Sequence, residues 1–173
     1  MFTNNFWKCI QSVYARKKVS TMDFVDTNGK VFNGATGNFR ANFTWIDDVP
    51  TVQINKTSRG IRFGDSDEAP SADDYWLKGN IISGFTYTVA TIWDADGQGH
   101  LLFTITNTSN KAFTIKEIAW VSTITSYWNN NSSSAGGTAM LDRTVLDTPV
   151  TIPAGGVGQV EYTITFNLPT ATA

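Results

Sequence analysis

Residues 80–106 read NIISGFTYTVATIWDADGQGHLLFTIT, and their alternation decides the fold class. Phe85, Tyr87, Val89 and Thr91 alternate with Thr86, Thr88 and Ala90, the period-two pattern of a strand with one face on a core. Asp94-Ala95-Asp96-Gly97-Gln98-Gly99 turns the chain, and His100 to Thr106 returns with Leu101, Phe103 and Ile105 on one face.

The same grammar extends both ways. Toward the C-terminus, Asn107 to Asn110 form a second turn before Phe113, Ile115, Glu117 and the apolar Ile118-Ala119-Trp120-Val121. Met140 to Leu146, Val150 to Ile152 and Gln159 to Phe166 add further strands, while the Ser-, Asn- and Gly-rich stretch Asn129 to Gly137 predicts an exposed loop. Toward the N-terminus lie strands at Gly60 to Gly64, at Val52 and Ile54, and at Asn38 to Asp47, where Phe39, Ala41, Phe43 and Trp45 recur at period two. Asp26-Thr27-Asn28-Gly29-Lys30 carries the Asn-Gly signature of a hairpin. About nine to eleven short strands predict an all-β protein, an antiparallel β-sandwich of Ig-like or jelly-roll type.

One segment departs from this pattern. Phe6, Ile10, Val13 and Tyr14 recur at helical spacing behind the candidate caps Thr3 and Asn4, predicting a short N-terminal helix to about Lys18. The expected organisation is a helical segment over 1–20, a sandwich over 21–168 and a short tail over 169–173. Such a helix either packs on its own sandwich or docks into a neighbouring subunit, because both use the same spacing. Phe6, Trp7, Ile10 and Tyr14 are therefore candidate partner-binding residues.

Charged residues make up 16% of the 173, with a net charge of -2, too balanced to attract a polyanion or an anionic membrane surface. The basic run Arg16-Lys17-Lys18 fits a helix C-terminus. No charged-then-apolar leader and no long apolar run is seen, so neither a secretory signal nor a membrane span is expected. The single Cys9, in an amphipathic segment, predicts a buried, inert thiol.

Candidate chemistry fails at named missing groups. His100 is the only histidine and lacks a Ser-centred elbow, and with one Cys it cannot build a zinc site. Asp94-Ala95-Asp96-Gly97 resembles the opening of a calcium loop, yet the twelfth position holds Ile105 where a bidentate Glu is needed. Asp65, Asp67, Glu68, Asp73 and Asp74 form the densest acidic stretch, read as a solvated loop with Asp73 as a cap. Tyr127-Trp128, beside Asn129-Asn130-Asn131, are the aromatics placed to meet a ligand. The expectation is a non-enzymatic protein without metal or cofactor. Glu117 and Arg143 sit in apolar strands that would bury a lone charge, which predicts a structural pair.

Three stretches resemble small structural proteins encoded among the virion genes of tailed bacteriophages, tail-, fibre- or capsid-associated. The first runs from Ile61 to Leu77 (IRFGDSDEAPSADDYWL), with Asp65-Ser66 where a second glycine is usual. The second is Phe103 to Thr108 followed by Phe113 to Trp120 (FTIKEIAW), with Ala119 where glycine is common. The third is Met140 to Gly155 (MLDRTVLDTPVTIPAG). The resemblance implies a virion location and an accessory structural role on a capsid, neck or tail surface. Its partners would be other virion proteins and further copies of itself, with neither nucleic acid nor membrane bound. The alternative is a host-surface carbohydrate-binding adhesin using Tyr127 and Trp128.

Overall fold

The computed structural model describes residues 1–14, 23–33, 52–54, 58–93, 99–126 and 135–164. The described chain is mostly antiparallel β with one short helix, as the alternation predicts. The strand expected over Asn38 to Asp47, the turn at 94–98, and Tyr127 and Trp128 lie outside the described residues.

The helix α1 spans Asn4–Tyr14. Among the described residues eight strands follow: β1 Asp23–Val25, β2 Val31–Asn33, β3 Gly60–Gly64, β4 Phe85–Trp93, β5 Gly99–Asn107, β6 Phe113–Ser126, β7 Ala135–Ile152 and β8 Val157–Ile164. They form a β1-β2 hairpin and two three-stranded sheets ordered β3-β6-β7 and β4-β5-β8. The chain divides into two compact units, residues 1–83 with 115–149 and residues 84–114 with 150–173.

In the first unit β6 is covered on both faces, and every residue from Glu117 to Ser122 is buried. Ala119 and Val121 pack with Trp76, Leu77 and Met140, and Ile81 closes that cluster. Ile118 and Trp120 stand opposite Phe63 and Ile61 of β3, and the Phe6 ring approaches Trp120 at 6.5 Å between centroids. The far edge of β7 is occupied from Thr138 to Arg143. Thr3 N donates to Leu141 O, Arg143 N donates to Met1 O, and Thr27 N donates to Thr138 O.

The β1-β2 turn follows from its sequence. Gly29 takes the left-handed conformation at φ 79°, and Asp26 Oδ1 accepts the Asn28 and Lys30 amides, both at 2.8 Å.

In the second unit the alternation of residues 85–105 is realised directly. Leu101, Phe103 and Ile105 are buried, with Tyr162 and Val160 buried opposite the first two. Thr86, Thr88, Ala90, Gln159, Glu161 and Thr163 are exposed, so this sheet has one apolar and one threonine-rich face. Gly158, opposite Ile105, is required by packing, since a Cβ there would meet Ile152 Cγ1 at 2.7 Å.

Two expectations change. Met140 to Leu146 and Val150 to Ile152 belong to a single strand, β7, running through Pro149. Among the described strands β7 is an edge of its sheet, where a residue without N–H is tolerated. The expected caps Thr3 and Asn4 serve other partners: Thr3 Oγ1 donates to Met140 O at 2.8 Å and Asn4 Nδ2 to Asp73 Oδ1 at 2.8 Å.

Candidate functional site

The densest group of charged side chains in the described residues sits in the first unit, on the β6 face that carries Ala119 and Val121. Glu117 comes from β6, Arg143 from β7, and Glu68, Asp74 and Lys78 from the segment that follows β3. Arg143 Nε donates to Glu117 Oε2 at 2.6 Å, and both side chains are fully buried. Arg143 Nη1 donates to Asp74 Oδ2 at 3.0 Å, and Nη2 to the Glu68 carbonyl at 2.9 Å. The guanidinium is thus used at all three nitrogens, the planar fork that suits arginine to buried pairing.

The carboxylates are equally committed. Glu117 Oε1 accepts the Gly79 amide at 2.7 Å and Oε2 accepts the Lys78 amide at 3.3 Å. Gly64 stands opposite Glu117 across the β3-β6 ladder, and a Cβ there would lie 2.4 Å from Glu117 Oε1. The sequence therefore makes room for this carboxylate by omitting a side chain beside it. Asp74 Oδ2 also accepts the Ser71 amide at 2.9 Å, while Oδ1 pairs with Lys78 Nζ at 3.1 Å. Burial works to raise the Asp74 pKa, but the Ser71 amide, Lys78 and Arg143 outweigh it and hold the carboxyl below its ordinary value. Paired with Asp74, Lys78 is shifted upward.

Arg62 lies next to this group and is fully buried. Its guanidinium stacks 5.6 Å from the Trp76 ring centroid and donates to the Gly60 carbonyl at 2.7 Å and to the Ser58 carbonyl. Burial pushes its pKa down to about 10, which leaves it charged at neutral pH.

The arrangement acts as a fastener. A carboxylate serving as general base or nucleophile presents a lone pair to a reacting atom. Those of Glu117 and Asp74 face Arg143 and backbone amides, and neither side chain exceeds 2% exposure. What they hold is residues 65–80, which include the acidic stretch Asp65 to Asp74 expected to be a solvated loop. Its other carboxylates are partnered as well: Asp65 accepts the Asn80 amide, Asp67 pairs with Lys116, Glu68 shares Lys78 with Asp74, and Asp73 accepts from Asn4. Among the described residues no three His, Cys, Asp or Glu side chains are grouped to hold a metal ion.

The remaining candidate residues fall as follows. Phe6 is buried, stacked on Phe2 at 3.9 Å, so it belongs to the first unit's own core and offers no surface to a partner. Trp7 is 51% exposed, and Ile10 and Tyr14 lie on α1 with side chains outside the described set. The helix packs on its own chain through Asn5, whose amide donates to Val25 O at 2.9 Å and accepts from Val25 N at 3.0 Å, a second ladder rung made by a side chain. Cys9 is buried and its thiol is pushed up to about 12 by burial. His100, the second residue of β5, has Nδ1 2.8 Å from Glu161 Oε1 and 3.1 Å from Thr163 Oγ1.

The sequence reading brought Glu117 and Arg143 together, read Asp74 as part of a solvated loop where the structure buries it, and passed over Arg62 and Asn5. Comparison with protein-family models, curated proteins and solved structures returns no match to this chain. Among the described residues no helix is long and apolar enough to cross a membrane.

Proposed function

We propose that the chain is a non-enzymatic accessory structural protein of a tailed-bacteriophage virion, attached in several copies to the capsid, neck or tail surface, with its strands built into an Ig-like or jelly-roll β-sandwich. One observation carries this reading. The three stretches that resemble phage virion proteins each supply part of one buried ionic cluster: Asp74 and the Glu68 backbone carbonyl from the first, Glu117 from the second and Arg143 from the third. Motifs that are separate in sequence and meet in space at a fastening point are what a shared architecture requires. Charges spent on locking a segment to a sheet suit a part that must keep its shape.

The test is location and copy number. Purified particles from a lysate of cells carrying the gene are analysed by quantitative mass spectrometry and by electron microscopy with a tagged copy. The expected result is co-purification at a copy number set by particle symmetry, many for a shell and six or twelve for neck or tail, about as symmetry dictates. Recovery only in the soluble cell fraction would overturn the reading. Glycan-array binding that disappears in Trp128→Ala would replace it with the adhesin.

A further inference from the structure

We propose that residues 65–80 form a strap that swings off the β6 face as one piece, about a neck at Gly64 and Ile81, while the β3-β6-β7 sheet stays folded.

The neck closes on itself. Gly64 and Ile81 pair as an isolated antiparallel bridge, and Ile82 N donates to Phe63 O at 2.9 Å. Asp65 Oδ1 accepts the Asn80 backbone amide at 2.7 Å, and Oδ2 accepts the Asn80 side-chain amide at 3.2 Å. A Cβ on Gly79 would lie 2.3 Å from Asp65 Oδ1, so glycine there lets the two ends of the segment meet. A compact loop whose ends meet is an Ω-loop, and its closure does not depend on the surface beneath it. Among the described residues none of 65–80 belongs to a strand, so lifting the segment breaks no rung of the sheet. Asp65, Glu68, Asp73, Tyr75 and Lys78 are exposed, which puts the segment on the outside of its unit.

The ionic cluster divides along the same line. Across it Arg143 Nη1 donates to Asp74 Oδ2 at 3.0 Å and Nη2 to the Glu68 carbonyl at 2.9 Å, while the Lys78 and Gly79 amides donate to Glu117. Lys116 reaches Asp67, and Asn4 reaches the Ala72 carbonyl and Asp73. On the sheet side Arg143 keeps Glu117 at 2.6 Å, and on the strap side Asp74 keeps Lys78 at 3.1 Å. Each of these four charges leaves or stays with an opposite one, so opening strands none of them, the event that makes breaking a buried pair costly. Arg62 gives up the Trp76 ring but still donates to the Gly60 and Ser58 carbonyls. The cost of opening is the bonds across the line and the packing of Trp76 and Leu77 on Ala119, Val121 and Met140. The sheet ladders are no part of it, which places the strap at the low-stability end of its unit. The inference concerns the first unit alone and is independent of a virion role.

Native-state hydrogen exchange of the full chain, in water and in low urea, tests it. The Lys78 and Gly79 amides are expected to open at least about tenfold more often than those of residues 118–121, with a urea dependence that is measurable yet weaker than theirs. Leu77→Cys, read by thiol labelling, should give an opening constant within about threefold of that of the Lys78 and Gly79 amides in the same variant. The buried Cys9 of the wild type supplies the background. Equal opening constants and urea slopes at Lys78, Gly79 and residues 118–121 would mean that the strap leaves only with the whole unit, which overturns the proposal. Exchange at Lys78 and Gly79 without any urea dependence overturns it as well, since that marks the fraying of single bonds. So does a Leu77→Cys thiol that labels no faster than Cys9. Should Leu77→Cys fail to fold, the wild-type urea slopes decide.

Discussion

Each compact unit is organised around one buried polar side chain, and the two differ in charge and reach. In the first unit Arg143 ties β7 to Glu117 on β6 and to Glu68 and Asp74, which lie 75 and 69 positions away in sequence. In the second unit Asn107 donates to Lys111 O at 2.8 Å and Ile152 O at 3.0 Å and accepts from the Ser109 amide and hydroxyl at 2.9 and 2.7 Å. Three of those four bonds close a turn within four residues. A neutral amide suffices to satisfy local backbone groups, whereas holding a long segment against a sheet takes charge-assisted bonds, each about twice as strong as a neutral one. Charge brings a dependence on its partners that the amide lacks.

That dependence is the sharpest way to break the comparison. Arg143→Met leaves Glu117 buried and Asp74 short of a partner, and the expected loss is about 3–5 kcal/mol in urea unfolding. Glu117→Leu combined with Arg143→Met removes both charges of the closest pair and should cost less than either single change, because neither Glu117 nor Arg143 is left buried without the other and Asp74 keeps Lys78. Equal losses for the double and single variants would mean that Arg143 acts through packing volume alone.

Asn107→Ala comes next. It strands the Lys111 and Ile152 carbonyls and frees the Ser109 amide, for an expected loss of about 1–3 kcal/mol. Nothing in that set titrates in acid, so the difference from wild type should be the same at pH 7 and pH 3. A difference that shrinks in acid would show the neutral hub to be coupled to a charge.

Asp74→Asn measures the charged hub's pH dependence and should cost about 1 kcal/mol near neutrality, since an amide keeps part of the bonding. The Asp74 pKa is lowered in the folded chain from its ordinary 3.8. The unfolded state therefore takes up the proton first. The stabilisation is fully present above 3.8 and is lost as pH falls through the lower folded value. Wild type and Asp74→Asn should converge on acidification below that point. Curves that stay parallel down to acid would remove Asp74 from the ionic fastening.

The two hubs were not equally legible in the sequence. Leu101, Phe103 and Ile105 could be read because a sheet with one wet face prints its burial as alternation. Glu117 and Arg143 stood out as charges inside apolar runs. Asp74 did not, because it sits among Asp65, Asp67, Glu68 and Asp73, where every carboxylate looks solvated. What separates it from Asp73 is a contact with β7 made only after the chain returns, and the one local hint is the buried Trp76-Leu77 that follows. Asn107 was legible as a turn residue, though its bond to Ile152 was not; Asn5 was invisible for a related reason, since an asparagine that completes a backbone ladder has the composition of a turn residue. Pro149 misled in the opposite sense, since a proline reads as a strand break unless the strand is known to lie at an edge.

The smallest effect is expected where an ion pair has the spacing of the hub and none of its burial. Lys116 Nζ lies 3.0 Å from Asp67 Oδ2, the same separation as Arg143 to Asp74, yet the Asp67 side chain is 75% exposed. The hydrogen bond and charge of Lys116 hold the Asp67 carboxyl below its ordinary value. Water and salt screen the pair, however, and ordering two long side chains opposes it. Lys116→Ala should leave the urea midpoint unchanged within error, and any residual shift should vanish on adding about 0.5 M salt. A loss as large as that of Asp74→Asn would mean that distance alone governs these pairs, and the contrast between the buried hub and the surface would no longer hold.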